Sequence, residues 1–165
     1  AVQCARQSPN CLFCPLSGSC RALSEGKVQQ LPVKQHRTKT TNRYFNYIYV
    51  RMGAHTLIHK RTEDDIWKNL FELPLVETEK DLSEEEFLAC PQFHALFAEG
   101  EVRMVRTLLR GVKHVLSHRV IYTNFYEVTL PDNSSSFSSY QRVAVEDLGR
   151  YAVPRLIHAF LEKYV

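Results

Sequence analysis

The 165 residues predict an α+β domain with a mixed sheet and few helices, preceded by a small cysteine-rich loop. Three observations carry that reading. Four of the five cysteines fall in the first twenty residues, and runs rich in aromatic and β-branched residues recur between residues 43 and 143. Helix signals are confined to a capping box at Ser83 and an apolar stripe at the end of the chain. At 44% hydrophobic and 24% charged residues, the composition is that of a globular chain and excludes wholesale disorder. No window approaches the roughly 18 consecutive apolar residues of a membrane helix, so no membrane partner is expected. The N-terminus, AVQCARQSPNCLFC, has no basic region followed by an apolar run and is no secretory signal. It also lacks an initiator Met, which points to a piece of something longer.

After Cys20, RALSEG reads as a turn of helix ending at Gly26. Residues 27–41 hold one Pro and no strong period, and form a basic linker suited to lie along DNA. RYFNYIYVR (43–51) reads as a strand, Met52-Gly53-Ala54 as a turn, and His55–Lys60 as the partner strand of a hairpin. Ile66–Val76 is a loop and short strand. Ser83 with Glu86 three residues on is a capping box, so a helix begins at Glu84 and is interrupted at Pro91, after which Gln92–Ala98 adds another. Val102–Leu116 is a strand broken at Gly111, and Arg119–Leu130 is the longest β signal. Pro131 and the Asp, Asn and Ser residues after it make a loop, because such side chains satisfy the local backbone. Tyr140–Val143 is an edge strand and Val145–Tyr151 a short helix. With Pro154 at its first position, a final helix turns Leu156, Ile157, Phe160, Leu161 and Tyr164 into the core.

A net charge of +3 conceals a strong asymmetry. Residues 63–101 carry a net charge of −10, and the rest of the chain carries +13. Eight cations and no acid lie between Gly26 and Thr62, and five cations and no acid between Val102 and Tyr126. If those stretches share a face they suit a phosphate backbone; the bland alternative is a surface whose charges cancel in space. The cysteines are sharper evidence. Cys4, Cys11, Cys14 and Cys20 follow C-x6-C-x2-C-x5-C, and a C-x2-C turn brings two thiolates to one metal centre. Nothing suggests export, which disfavours disulfides. Zinc modules pair C-x2-C with a second short-spaced pair, so the asymmetric spacing fits a cubane [4Fe–4S] cluster better than a Cys4 zinc site. Cys90 stands alone and reads as a small core residue.

This cysteine spacing resembles the cluster signature that closes the catalytic domain of the helix-hairpin-helix DNA glycosylases. In that family the loop between the first two cysteines contacts DNA phosphate, which here implies Arg6, with Arg21 beside it, as DNA-binding residues. Because the chain continues for 145 residues beyond Cys20, it is similar to the MutY-type adenine glycosylases, which act on adenine opposite 8-oxoguanine and carry a Nudix-like (MutT-like) C-terminal domain. RTEDDIWKNLFELPLVE resembles that group's R-x4-[LIW]-W-x2-L-[WFY]-E-[FL]-P stretch. The resemblance divides the chain into a cluster loop (1–24), the basic linker (25–41) and a Nudix-like domain (42–165). Where a Nudix hydrolase carries R-E-x-x-E-E to hold Mg²⁺, this chain has TEKDLSEEEFLACPQF. Three consecutive glutamates cannot share one helical face, so they read as a charge cluster at a helix N-terminus.

His114-Val115-Leu116-Ser117-His118 resembles the group's H-x-F-S-H stretch, in which Ser reads the Hoogsteen edge of 8-oxoguanine. Oxidation at C8 turns guanine N7 from acceptor to donor, and a hydroxyl can accept from that N–H while donating to O6. Ser117 is thereby implied as the lesion reader, at about 1–3 kcal/mol of discrimination. Leu116 stands where the group has Phe, and His118 positions Ser117 or touches phosphate. The resemblance thus implies part of a base-excision enzyme of the bacterial cytoplasm. Its partner is double-stranded DNA with 8-oxoguanine:adenine mispairs, and its catalytic carboxylates lie in a helical domain outside this sequence. The expected catalytic set of this chain is none, and alone it is expected to be inactive. The rivals are a Nudix-type nucleotide pyrophosphohydrolase and a Cys4 zinc interaction module; zinc could also fill the cysteine loop of an isolated fragment.

Overall fold

Two long runs rich in aromatic and β-branched side chains dictate the core. In the computed structural model, which describes residues 3–5, 8–31 and 40–165, these runs are strands β1 (Thr41–Arg51) and β6 (Arg119–Thr129). They pair in parallel without a break, from Thr41 against Arg119 to Arg51 against Thr129. Strand β4 (Leu75–Thr78) flanks β1 and strand β5 (Met104–Val115) flanks β6, both antiparallel, giving the mixed order β4-β1-β6-β5. The middle of the inner pair, residues 45–50 and 123–128, is buried on both faces, and the polar residues of the two strands lie mostly toward their ends.

Period two sorts the side chains. Phe45, Tyr47, Tyr49, Ile121 and Phe125 form one face, closed by Leu156, Ile157 and Phe160 of helix α4 (Arg155–Tyr164). Phe125 and Phe160 stack there with ring centroids 4.1 Å apart. Ile48, Val50, Tyr126 and Val128 form the other face, closed by Phe87 of α2 (Glu84–Leu88) and Phe93 of α3 (Pro91–His94). Helix α2 starts at the expected capping box, with the Glu86 N–H donating to Ser83 Oγ and the Ser83 N–H to the Glu86 carboxylate. Pro154 is the N-cap of α4, one position ahead of the place expected for it.

The expected hairpin of residues 43–60 does not form. Beyond one bridge between Met52 and His55, strand β2 (His55–Lys60) leaves β1 and enters a second sheet. There it lies between β3 (Phe71–Glu72) and β7 (Gln141–Ala144). β6 takes one edge of β1 along its whole length, and β4 with Pro74 takes the other from Tyr44 to Ile48, leaving β2 to pair elsewhere. The break foreseen at Gly111 is a bulged stretch of β5: Gly111 has φ +66, and its N–H donates to Asn124 Oδ1 at 2.9 Å.

The chain divides into two compact units, residues 1–39 and 40–165. The described part of the first has a 3-10 turn (Ser17–Ser19) and a short helix α1 (Arg21–Ser24) ending near Gly26, whose φ is +64. Among the described residues, no helix is long and apolar enough to cross a membrane. Truncating Phe160 removes the aromatic side chain that seats α4 on the sheet. We expect Phe160→Ala to cost about 3–5 kcal/mol in urea denaturation; a loss below 1 kcal/mol would contradict this packing.

Candidate functional site

The cysteine loop is drawn together by its own backbone. Gln3 and Asn10 exchange two hydrogen bonds, Asn10 N–H to Gln3 O and Gln3 Nε2 to Asn10 O, both 3.2 Å. The Cys14 N–H donates to Cys11 O, and Ser17 N–H to Cys14 O, so the chain turns at each inner cysteine. Cys4, Cys11, Cys14 and Cys20, all free thiols, line one cavity with Pro9, Leu23, Val28 and Leu31 among its other walls. Among the described residues, no three Cys, His, Asp or Glu side chains form a set able to hold a metal ion, so the thiols share a cavity without meeting at one point. Four soft sulfur donors around an apolar cavity suit a polynuclear iron–sulfur group, in which each thiolate takes its own iron. Arg6 lies outside the described residues. Arg21 is exposed, and Glu25 accepts from its Nε at 2.5 Å, so part of its charge is already matched.

His114 to His118 form the closed end of the β5–β6 hairpin. The Leu116 N–H donates to Arg119 O at 2.8 Å, closing a two-residue turn of Ser117 and His118, and the Thr41 N–H donates to His118 O at 3.1 Å. Leu116 is half-buried against the main core and anchors the tip, while Ser117 and His118 are exposed. The turn therefore presents a serine hydroxyl and an imidazole to solvent from a fixed backbone.

Sequence reasoning did not find what holds this tip. The loop of residues 61–70 folds over the hairpin base, closed by Arg61 N–H to Leu70 O and Asn69 N–H to Arg61 O. Two of its residues take left-handed backbone angles, Trp67 at φ 59 and Asn69 at φ 69, a strained choice for a side chain as large as Trp. The Trp67 ring rests between Phe45 and His114, with centroids 6.1 and 5.9 Å away. Asp65 accepts from Arg119, from Arg43 at 2.5 Å and from Arg61 at 3.3 Å. Arg43 also makes a two-pronged pair with Glu77 at 2.6 Å, and Arg61 reaches both oxygens of Glu72 at 2.8 Å. Three guanidiniums thus meet three carboxylates. Asp65, Glu72 and Glu77, all from the segment with a net charge of −10, pair with Arg43, Arg61 and Arg119, the bland outcome considered for the charge pattern. The one sequence clue was that asymmetry, which names no partners.

The glutamates of α2 are dispersed. Glu86 is bound into the capping box, where the Ser83 backbone N–H, with Lys80 nearby, holds its carboxyl below the usual range. Glu84 and Glu85 are exposed at successive positions, about 100° apart around the helix.

A family model described as the NUDIX domain matches residues 46–163. The chain belongs to the NUDIX domain family. Solved structures agree on the fold. The C-terminal domain of mouse MUTYH, solved in complex with human PCNA, superposes with a TM-score of 0.56 at 14% identity, covering 74% of this chain and 86% of that one. A MutT structure from work on Aliivibrio salmonicida and Vibrio cholerae gives 0.50 at 16%, covering 74% and 96%. Among curated relatives, an adenine DNA glycosylase of Buchnera aphidicola subsp. Acyrthosiphon pisum is 24% identical over 98% of this chain. Another, from the subspecies Baizongia pistaciae, is 25% identical over 75%. The chain spans 44% and 33% of these relatives' lengths. The chain as a whole is thus similar to part of an adenine DNA glycosylase.

Burial pushes the Asp65 carboxyl up, but hydrogen bonds from Arg119 and Arg43 outweigh it and hold the group well below its ordinary 3.8. A carboxyl depressed in this way stabilises the fold above its ordinary pKa, and that contribution is lost as the pH falls below it. Asp65→Asn should lower stability by about 1–3 kcal/mol at neutral pH and flatten the acid limb below about pH 4. Urea denaturation across pH checks this; an acid limb as steep as in the unmodified protein would contradict it.

Proposed function

We propose that this chain is the lesion-reading part of an adenine DNA glycosylase acting on adenine opposite 8-oxoguanine. The observation that carries the reading is the exposed Ser117 hydroxyl at the tip of a braced hairpin. The chain's similarity to an adenine DNA glycosylase over 98% of its length supports the assignment. Approached by duplex DNA, the Ser117 oxygen accepts from the N7–H that only the oxidised base carries, and its proton goes to O6. Leu116, anchored in the core, sets the height of the turn. His118, adjacent and exposed, approaches phosphate or orients the serine. Base removal itself belongs to the remainder of such an enzyme.

In this reading Cys4, Cys11, Cys14 and Cys20 hold a [4Fe–4S] cluster. When bound, that group supplies four thiolate–iron bonds that lock the loop. Arg6 and Arg21 then lie on the same loop, where a cation can meet DNA phosphate. A Nudix-type pyrophosphohydrolase is less well supported. Its metal-binding carboxylates would come from α2, where one glutamate is committed to a helix cap and the other two diverge.

Removing the hydroxyl should erase discrimination while leaving backbone contacts intact. Ser117→Ala is expected to reduce the preference for 8-oxoguanine:adenine over guanine:adenine duplex about fivefold or more in equilibrium binding. An unchanged ratio would remove Ser117 from the reading. Protein purified without oxygen should contain iron and acid-labile sulfide in equal amounts and lose both in Cys14→Ser; stoichiometric zinc without iron would favour the zinc module.

A further inference from the structure

At the end of the sheet away from the hairpin, one cation from each acid-free basic stretch meets at a shared acid. Arg51 closes β1, Arg106 lies near the start of β5, and between them on β6 stands Glu127, directly opposite Arg106 in the strand register. Glu127 is only 3% exposed. Arg106 lies 3.3 Å from its carboxylate and Arg51 3.8 Å, with the two arginine side chains 59% and 52% exposed. All three line a depression of about 320 Å³ whose surface is mainly polar, with Tyr49 and the Gly53-Ala54 turn among its walls.

The charge balance here differs from that at the hairpin. There, three cations face three carboxylates. Here, two guanidiniums, each about half exposed, flank one buried acid, with Tyr164 and Val165 on the other wall of the depression. Arg106 bonds one oxygen of Glu127, while the other, buried and without a hydrogen-bond partner, faces Arg51 3.8 Å away and is balanced by its charge through space. A guanidinium offers five N–H donors in a planar fork that matches phosphate oxygens. Arg106 makes one hydrogen bond to Glu127, and Arg51 sits beyond hydrogen-bond distance, so most donors remain available.

We propose that Arg51 and Arg106, held side by side by Glu127, form a phosphate-binding site. Its chemistry is that of a phosphate oxyanion, supplied by the backbone of a DNA duplex or by a free nucleotide. Eight residues of β6, about 26 Å of strand, separate Glu127 from Arg119 at the hairpin base, so the two contacts are distinct. The duplex source rests on the lesion-reading proposal; the site itself does not.

The 165-residue chain is titrated with inorganic phosphate, with dGMP and with a labelled duplex at several salt concentrations. Backbone amides of residues 51–54, 106 and 127 are followed by NMR. Phosphate is expected to shift those amides, and Arg51→Gln/Arg106→Gln to abolish the response. In the duplex arm that variant should lose about tenfold in affinity and flatten the salt dependence by about one to two phosphate contacts, with the Ser117-dependent base preference unchanged. Adding Glu127→Gln removes the unpaired buried acid, should the double variant prove unstable. Amide shifts with phosphate or dGMP, but unchanged duplex affinity and salt slope, assign the site to free nucleotides. If the duplex binds nowhere on the chain, the lesion-reading proposal falls and the phosphate arm still decides the site. No amide response to phosphate or dGMP, with duplex binding unaltered by the variants, overturns it.

Discussion

The parallel pairing of β1 with β6 is the constraint on which the rest depends. Eleven consecutive residue pairs lie in one register, with the central six buried on both faces, so neither strand can slip without turning a set of aromatics outward. That register brings Arg43 and Arg119 together at one end and Arg51, Glu127 and, through β5, Arg106 at the other. The core aromatics therefore set the spacing between a hairpin tip and a cationic depression that never touch.

Charge is distributed on this frame with a division of labour. At the hairpin end every guanidinium of the clasp is answered by a carboxylate, and the result is rigidity: the loop of residues 61–70 grips β6 through Asp65 and β5 through Trp67. A base-reading hydroxyl profits from such bracing, since one hydrogen bond discriminates only when its geometry is held. At the far end Arg51 and Arg106 flank the single buried carboxylate of Glu127 and keep exposed N–H donors, and it is on those donors that the proposed anion site rests.

Much of this was legible in the residues. The richness of 43–51 and 119–130 in aromatic and β-branched side chains marked the two central strands, because such residues suit a pleated, buried surface. Ser83 and Glu86 marked the start of α2, since a capping box is local chemistry. The pairing of His55–Lys60 was misjudged for a physical reason: proximity in sequence favours a hairpin, but the open edges of β1 were claimed by strands from residues 75 and 119 onward. The clasp was invisible for a related reason. Asp65 and Arg119 are 54 residues apart, and nothing local in either announces the other. Ser117 and the four cysteines stood out through resemblance to glycosylase motifs, and the fold then supplied the exposure and the shared cavity.

The central claim is that the hairpin tip senses oxidation at a single purine. The most direct measurement follows the backbone amides of Ser117 and His118 by NMR as the chain meets two duplexes that differ only in 8-oxoguanine against guanine opposite adenine. The account predicts that both amides shift selectively with the oxidised duplex, while residues of β7 and α4 stay unmoved. Identical responses to the two duplexes, or a lesion-dependent response confined to residues away from the hairpin, would contradict it.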